Sequence, residues 1–163
     1  MRKELPQGLL KELLKNSKRS DRDLAKVLKV SQPTITRARH RLEKDGMIED
    51  YTIVPDFRKM GFEIMALTFV KMKSEILSSE VMKGATEYAD KFPNAIFAST
   101  GEGLGMTGVI ISFERNYSDY HRHLNQLRVD WKAFTEDIKS FVIAIGEGEF
   151  KRFSLSHLKD ISL

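Results

Sequence analysis

Leu9, Leu10, Leu13 and Leu14 recur at the spacing of one helix face after Pro6, which predicts a first amphipathic helix over residues 6–16. A polar turn from Asn16 to Arg19 leads to Ser20, an N-cap with Asp23 three residues on as its capping-box partner. Leu24, Ala25, Val27 and Leu28 then form the apolar face of a second helix, and the small Ala25 suits a close helix crossing. After the short turn Lys29-Val30, Ser31 is a second N-cap, Pro33 is tolerated in the first helical turn, and a third helix runs from about residue 32 to 45. Gly46 is its natural C′ residue. Two short capped helices around a tight turn are the helix-turn-helix layout. Lys29 stands where such turns often carry glycine, so it is expected in a slightly costly left-handed conformation.

Beyond Gly46 the period changes. Residues 47–54 read as a strand leaving the first domain and ending at Pro55, and residues 55–61 as a hinge. Residues 62–72 are a β-rich run with apolar residues at both alternating sets of positions. Ser78 or Ser79 is expected to cap a helix carrying Val81, Met82, Ala85, Tyr88, Ala89 and Phe92, stopped by Pro93. Residues 95–100 and 106–113 form two strands around a glycine-rich turn, Asn116 and Asp119 open a second helix with Tyr117, Tyr120, Leu124 and Leu127, and residues 138–145 form a fourth strand. The order β-α-β-β-α-β is the ferredoxin-like pattern. The predicted class is therefore α+β. A winged-helix/helix-turn-helix domain (1–50) is followed by a connecting strand and hinge (51–61), a ferredoxin-like domain (62–146) and a C-terminal tail (147–163).

The strand faces carry a message about partners. In the first strand Ile64, Ala66 and Val70 point one way and Met65, Leu67 and Phe69 the other; in the fourth, Ile138, Val142 and Ala144 oppose Phe141, Ile143 and Ile145. Two helices cover only one face of a four-stranded sheet. The second apolar face needs a cover, and a second subunit is the expected one, against the simpler alternative that the tail folds back over it.

Charge sharpens the division. The first 61 residues carry fifteen Lys and Arg against nine Asp and Glu, the remainder twelve against fourteen. Only the first part is expected to meet a polyanion. Turned at 100° per residue, the third helix places Ile35, Ala38 and Leu42 inward. Pro33, Thr36, Arg37, His40 and Lys44 fall outward, with Arg41 beside them and Arg39 nearer the packed edge. That outward face holds no carboxylate, Glu43 lying off it, and Arg, Thr and His are donors suited to base edges and phosphates. Double-stranded DNA is the expected partner, with Ser31, Gln32, Pro33, Thr34, Thr36, Arg37, Arg39, His40, Arg41 and Lys44 as candidate contacts.

The segment from Ser31-Gln32-Pro33-Thr34-Ile35-Thr36 through Arg41-Leu42-Glu43-Lys44-Asp45-Gly46-Met47-Ile48 resembles the recognition helix of the leucine-responsive regulatory protein/AsnC (Lrp/AsnC) family, and Asp50-Tyr51-Thr52 followed by Met60-Gly61 is similar to its connecting strand and hinge. The β-α-β-β-α-β order matches that family's ligand-sensing and assembly (RAM) domain, so the resemblance spans roughly residues 6–146. It implies a transcription regulator that forms homodimers, closing a dimeric α/β barrel, and further oligomers of dimers. It also implies an amino-acid-like effector bound near the turn Gly101, Glu102, Gly103, Leu104, Gly105. The family's Gly-x-x-Asp pattern has Leu104 in place of the aspartate here, so leucine itself is not the expected effector, although the amides of Gly101, Gly103 and Gly105 remain available to a carboxylate.

Other chemistries find little footing. The three spaced glycines join hairpin strands instead of a strand and a helix, so they fail the nucleotide-binding fingerprint. The chain has no cysteine, and His121 and His123, two apart on a helix, point to different sides, so neither a metal nor any other cofactor is expected. The enzyme alternative is siroheme decarboxylase, whose subunits share this architecture with a degenerate helix-turn-helix. Its His-Tyr-x-Arg segment has no counterpart, since Tyr120-His121-Arg122 runs in another order. A third alternative, a module that only tunes a partner regulator's assembly, is disfavoured by the retained Arg37, His40 and Arg41. With no apolar stretch of membrane-spanning length and no apolar run after Met1-Arg2-Lys3-Glu4, a cytoplasmic protein without a signal peptide is expected.

Overall fold

The computed structural model describes residues 4–73, 84 and 86–160. Contacts divide the chain into two units, residues 1–54 with 151–163, and residues 55–150.

The first unit contains α1 (Glu4–Lys15), α2 (Asp21–Leu28) and α3 (Gln32–Lys44). The leucine spacing read from the sequence makes one core: Leu9, Leu13, Leu24, Ala25, Ile35 and Leu42 are buried together, with Ala38 and Ile48 partly buried against them. Ser20 caps α2 as expected, its hydroxyl oxygen accepting from the Asp23 N–H at 3.2 Å while its O–H donates to Asp23 Oδ2 at 2.6 Å. Ser31 takes the extended backbone of an N-cap but not its bond: its hydroxyl pairs with Thr34 Oγ1 at 2.7 Å instead. Lys29 adopts φ 53° and ψ 45° at the end of α2, the left-handed conformation expected of it, and its N–H donates to the Ala25 carbonyl. Gly46 follows α3 at φ 71°.

Glu12 is a buried acid on α1. It is paired with Lys15 and Arg19, and the hydrogen bond from Lys15 leads the interactions that hold its carboxyl below the usual carboxylate range. The tail contributes a 3-10 helix, Leu155–Asp160, that packs on α1.

Residues 47–54 do not form the expected strand. A strand needs a neighbouring backbone to complete its ladder. Here the Tyr51 N–H is taken locally by Asp50 Oδ1 at 2.6 Å, and Ile53 keeps 81% of its surface.

The second unit is a four-stranded antiparallel sheet in the order β2-β3-β1-β4, with β1 (Ile64–Met72), β2 (Ala95–Gly103), β3 (Met106–Glu114) and β4 (Thr135–Ala144). Helix α4 (Tyr117–Asp130) lies between β3 and β4, capped by Asn116, which accepts from the Asp119 N–H at 2.9 Å. Between β1 and β2, residues 84 and 86–89 are helical; Ser78, Ser79, Val81, Met82 and Ala85, expected on that helix, lie outside the described residues. This is the ferredoxin-like arrangement.

Ile64, Ala66, Val70 and Ile138 form the face packed against Tyr120, Leu124 and Leu127 of α4. The register aligns Met65 with Phe113 and Ile143, and Leu67 with Ile111 and Phe141, on the other face. Phe57 stacks on Phe113 at 4.1 Å and Phe62 tilts against it at 5.9 Å, which covers one end of that face. Phe141 and Phe97 remain 63% and 51% exposed, so most of it stays open in the single chain.

Candidate nucleic-acid interface

Helix α3 is amphipathic in an unusual proportion: Ile35 and Leu42 are buried to 0% and 4% exposure, and nearly everything else is polar. Its thirteen residues make a rod about 20 Å long, which fits a major groove about 12 Å wide. Arg37, His40, Arg41 and Lys44 are exposed and share one side by helical spacing. Among the described residues, Arg37 and Lys44 make no hydrogen bond or ion pair.

Carboxylates reach this side from the end of the helix, which the sequence did not suggest. His40 Nδ1 lies 3.2 Å from Glu43 Oε2, and Arg41 Nε donates to Asp45 Oδ2 at 3.3 Å. With His40 and Arg41 about three-quarters exposed, these contacts are weak tethers that a phosphate would displace. At the N-terminal end Ser31, Gln32 and Pro33 are exposed and Thr34 is half-buried.

Thr36 and Arg39 are placed differently. The Thr36 hydroxyl donates to Asp21 Oδ2 at 2.7 Å, while Arg39 Nε and Nη2 reach Asp21 Oδ1 at 2.9 and 2.8 Å. Burial pushes the Asp21 carboxyl up, but the bonds from Thr36 and Arg39 outweigh it and hold the group below its ordinary value. Arg39 Nη1 also donates to the Tyr51 hydroxyl at 3.2 Å, and that hydroxyl donates to Glu43 Oε1 at 2.8 Å.

Comparison with known proteins agrees with this layout. Residues 3–49 match a family model described as winged helix-turn-helix DNA-binding. An uncharacterised HTH-type transcriptional regulator of Pyrococcus horikoshii is 31% identical over 103 residues, 63% of this chain and 65% of that protein. Its crystal structure superposes with a TM-score of 0.75 at 21% identity, covering 92% of this chain and 95% of that one. The HTH-type transcriptional regulator LrpC of Bacillus subtilis is 31% identical over 67 residues, 41% of this chain and 46% of that protein; its structure gives a TM-score of 0.72 at 22% identity, over 90% and 96% of the two chains. Both sequence matches span less than two thirds of the relatives' length. An AsnC family transcriptional regulator from Agrobacterium tumefaciens superposes at a TM-score of 0.76 and 19% identity, over 94% of this chain and 97% of that one. The chain is thus similar in sequence, over part of their length, to HTH-type transcriptional regulators that include LrpC, and it shares its fold with an AsnC family regulator.

In the second unit the glycine-rich turn closes the β2–β3 hairpin. Gly103 pairs with Met106, and the two residues between them, Leu104 and Gly105, have φ 53° and 69°. Positive φ at both central positions is the pattern of a type I′ hairpin turn, in which glycine or asparagine is favoured and leucine is not. The Leu104 side chain is 85% exposed. A ladder irregularity between Thr100 and Gly103 places Gly101 and Glu102 at a bulge on the sheet's edge strand.

The histidines are engaged in structure. His123 Nδ1 lies 2.8 Å from Oε2 of the buried Glu114, whose Oε1 accepts from Asn94 at 2.6 Å and Ser112 at 3.0 Å. His121 Nδ1 lies 3.0 Å from Asn125 Nδ2. Among the described residues, no group of three or more His, Asp or Glu is close enough together to hold a metal ion, and no helix is long and apolar enough to cross a membrane.

Sequence reading missed Asp21. Directly after the N-cap it looks like an ordinary first-turn acid facing the helix dipole. Its partners stand fifteen and eighteen positions away.

Proposed function

We propose that this chain is a sequence-specific, DNA-binding transcriptional regulator that reads the major groove with α3. The observation that carries the reading is the pairing of a fully buried apolar stripe, Ile35 and Leu42, with an exposed stripe of Arg37, His40, Arg41 and Lys44 on the same helix. The buried stripe fixes the helix on the domain, and the cationic stripe is left for phosphates and base edges. The protein carries no catalytic step and works as a homodimer in the cytoplasm. The open sheet face, with Leu67, Phe97 and Phe141, supports the dimer, because a contiguous exposed apolar patch is uncommon on a monomer and marks a surface that a partner covers. Selection of bound fragments from random duplex DNA, followed by footprinting, tests the reading. The expected product is a pseudo-palindrome with half-sites about one helical turn, or a multiple, apart. Failure to enrich any sequence, or an isolated half-site bound by a monomer, would contradict it.

Any small-molecule effector is proposed to act at the hairpin of residues 101–105, where glycine amides lie at the sheet's edge. Such a ligand shifts assembly only by its difference in affinity for the alternative assemblies. Gly103→Trp is expected to change sedimentation, or its response to a panel of amino acids and related carboxylates. If neither changes, the hairpin has only a connecting role.

A further inference from the structure

The first unit contains a polar network that the DNA-reading face does not itself require. Asp21, at the start of α2, receives three donors from α3: the Thr36 hydroxyl and two nitrogens of Arg39. The hydroxyl has one proton and two acceptors within reach, Asp21 Oδ2 at 2.7 Å and the Gln32 carbonyl at 3.2 Å. The nearer, charged acceptor takes it. The side chains of Arg39 and Asp21 are 17% and 21% exposed, so this pair is shielded from water and salt in a way that His40–Glu43 and Arg41–Asp45 are not. The other edge of Arg39 is also occupied, its Nη1 donating to Tyr51 and its guanidinium lying 5.7 Å from the Tyr51 ring centre. Tyr51 in turn binds Glu43 of α3.

We infer that Asp21 is a positioning residue for DNA reading: it holds Thr36 and Arg39 against α2, so that α3 is presented at one fixed rotation and reads with Arg37, His40, Arg41 and Lys44. The inference rests on the reading of α3 as a DNA-binding helix. Two of the side chains that helical spacing alone assigns to DNA are thereby withdrawn from it. Turning Arg39 outward to a phosphate would break a shielded charge pair and strand the Asp21 carboxylate, whereas Arg37 and Lys44 break nothing when they bind. A helix presented at one rotation places its bidentate donors on particular base edges. A helix free to roll spreads them over several and loses discrimination before it loses affinity.

Salt titrations of the full chain separate positioning from contact. Each phosphate neutralised adds about 0.9 to the slope of log affinity against log salt. With a cognate duplex and a random duplex of equal length, Arg37→Ala should lower the slope by about this amount per half-site. Arg39→Gln should leave the slope unchanged and reduce the cognate-to-random ratio about tenfold, the scale of one lost base contact. Asp21→Asn should also reduce that ratio, and should raise the slope as the released Arg39 reaches a phosphate. Thr36→Val, nearly equal in shape, should reduce the ratio less and keep the slope, and it serves where Asp21→Asn fails to fold. A slope that falls in Arg39→Gln as it does in Arg37→Ala would overturn the inference, since Arg39 would then be a direct contact. An unchanged cognate-to-random ratio in folded Asp21→Asn or Thr36→Val would also overturn it. Failure of the wild-type chain to prefer any duplex would instead remove the DNA-reading assignment on which the inference stands.

Discussion

The two units treat their apolar residues differently. In the first, Leu9, Leu24 and Ile35 have no exposed surface, and the side chains left outside on α3 are mainly Arg, His, Lys and Gln. In the second, one face of the sheet is packed under α4, while Phe97 and Phe141 on the other keep more than half their surface. The first unit is closed by itself and offers charge. The second leaves an apolar face open in the single chain. Under the proposed reading the partner of each is different in kind: a polyanion for the first, a second copy of the sheet for the second. The charge division between the two parts of the chain agrees, since only the first has an excess of cations.

The largest expected effect strikes the open face. Covering an apolar side chain is worth about 1.5–3 kcal/mol, and a two-fold interface includes it twice, so Phe141→Asp should weaken the dimer by about 3–6 kcal/mol or more. Sedimentation should show a folded monomer at concentrations where the wild type is dimeric. A dimer unaffected by the charge would break the comparison.

The reciprocal change is Ile35→Ala, which removes the α3 side chain with no exposed surface and should cost about 2–5 kcal/mol. Thermal unfolding should show the first unit melting earlier while the oligomeric state is kept. Loss of both together would mean that the units do not close independently.

Acid should also act unevenly. The carboxyls of Glu12 and Asp21 lie below their ordinary values when folded, so the folded state binds fewer protons than the unfolded one and stability rises with pH through that window. Their contribution is full at neutral pH and is lost as pH falls below about 4. A pH series of unfolding followed in the first unit should show this slope, and Asp21→Asn should flatten it. An identical slope in the variant would show that Asp21 adds nothing to acid sensitivity.

The smallest effects lie at the two left-handed residues that are not glycine. Lys29→Gly and Leu104→Asn relieve positive φ, and each should stabilise its own unit by about 0.5–1 kcal/mol. Denaturant midpoints would measure both, and a decrease in either would mean that the lost side chain makes a contact worth more than the strain.

How much of this was readable in the sequence depends on distance along the chain. Ser20 with Asp23, Gly46, and the leucines of α1 are local signals, resolved within one or two helical turns, and the structure follows them. The strand expected at residues 47–54 was not formed, because apolar and β-branched residues describe a strand's preference but supply no ladder partner. Asp50 takes the Tyr51 N–H instead. The cap at Ser31 shows the same limit on a smaller scale, since its hydroxyl had a competing neighbour in Thr34. The Asp21 clamp and the Glu114, His123 and Asn94 cluster join residues nine to twenty positions apart on different elements. Helix rotation predicts which way a residue points, but which partner it meets depends on how the elements cross. Thr36 therefore looked like a reader of DNA, and the structure ties it to α2.

The central claim is that α3 binds DNA through its open cationic side. Gel-shift titrations of the full chain at several salt concentrations, with wild type beside the double variant Arg37→Ala/Arg41→Ala, test it most directly. The account predicts a loss of affinity of at least about a hundredfold at low salt and a salt slope lower by about two per half-site. Equal affinity and equal slope in a folded double variant would show that DNA, if bound at all, is not bound by this helix.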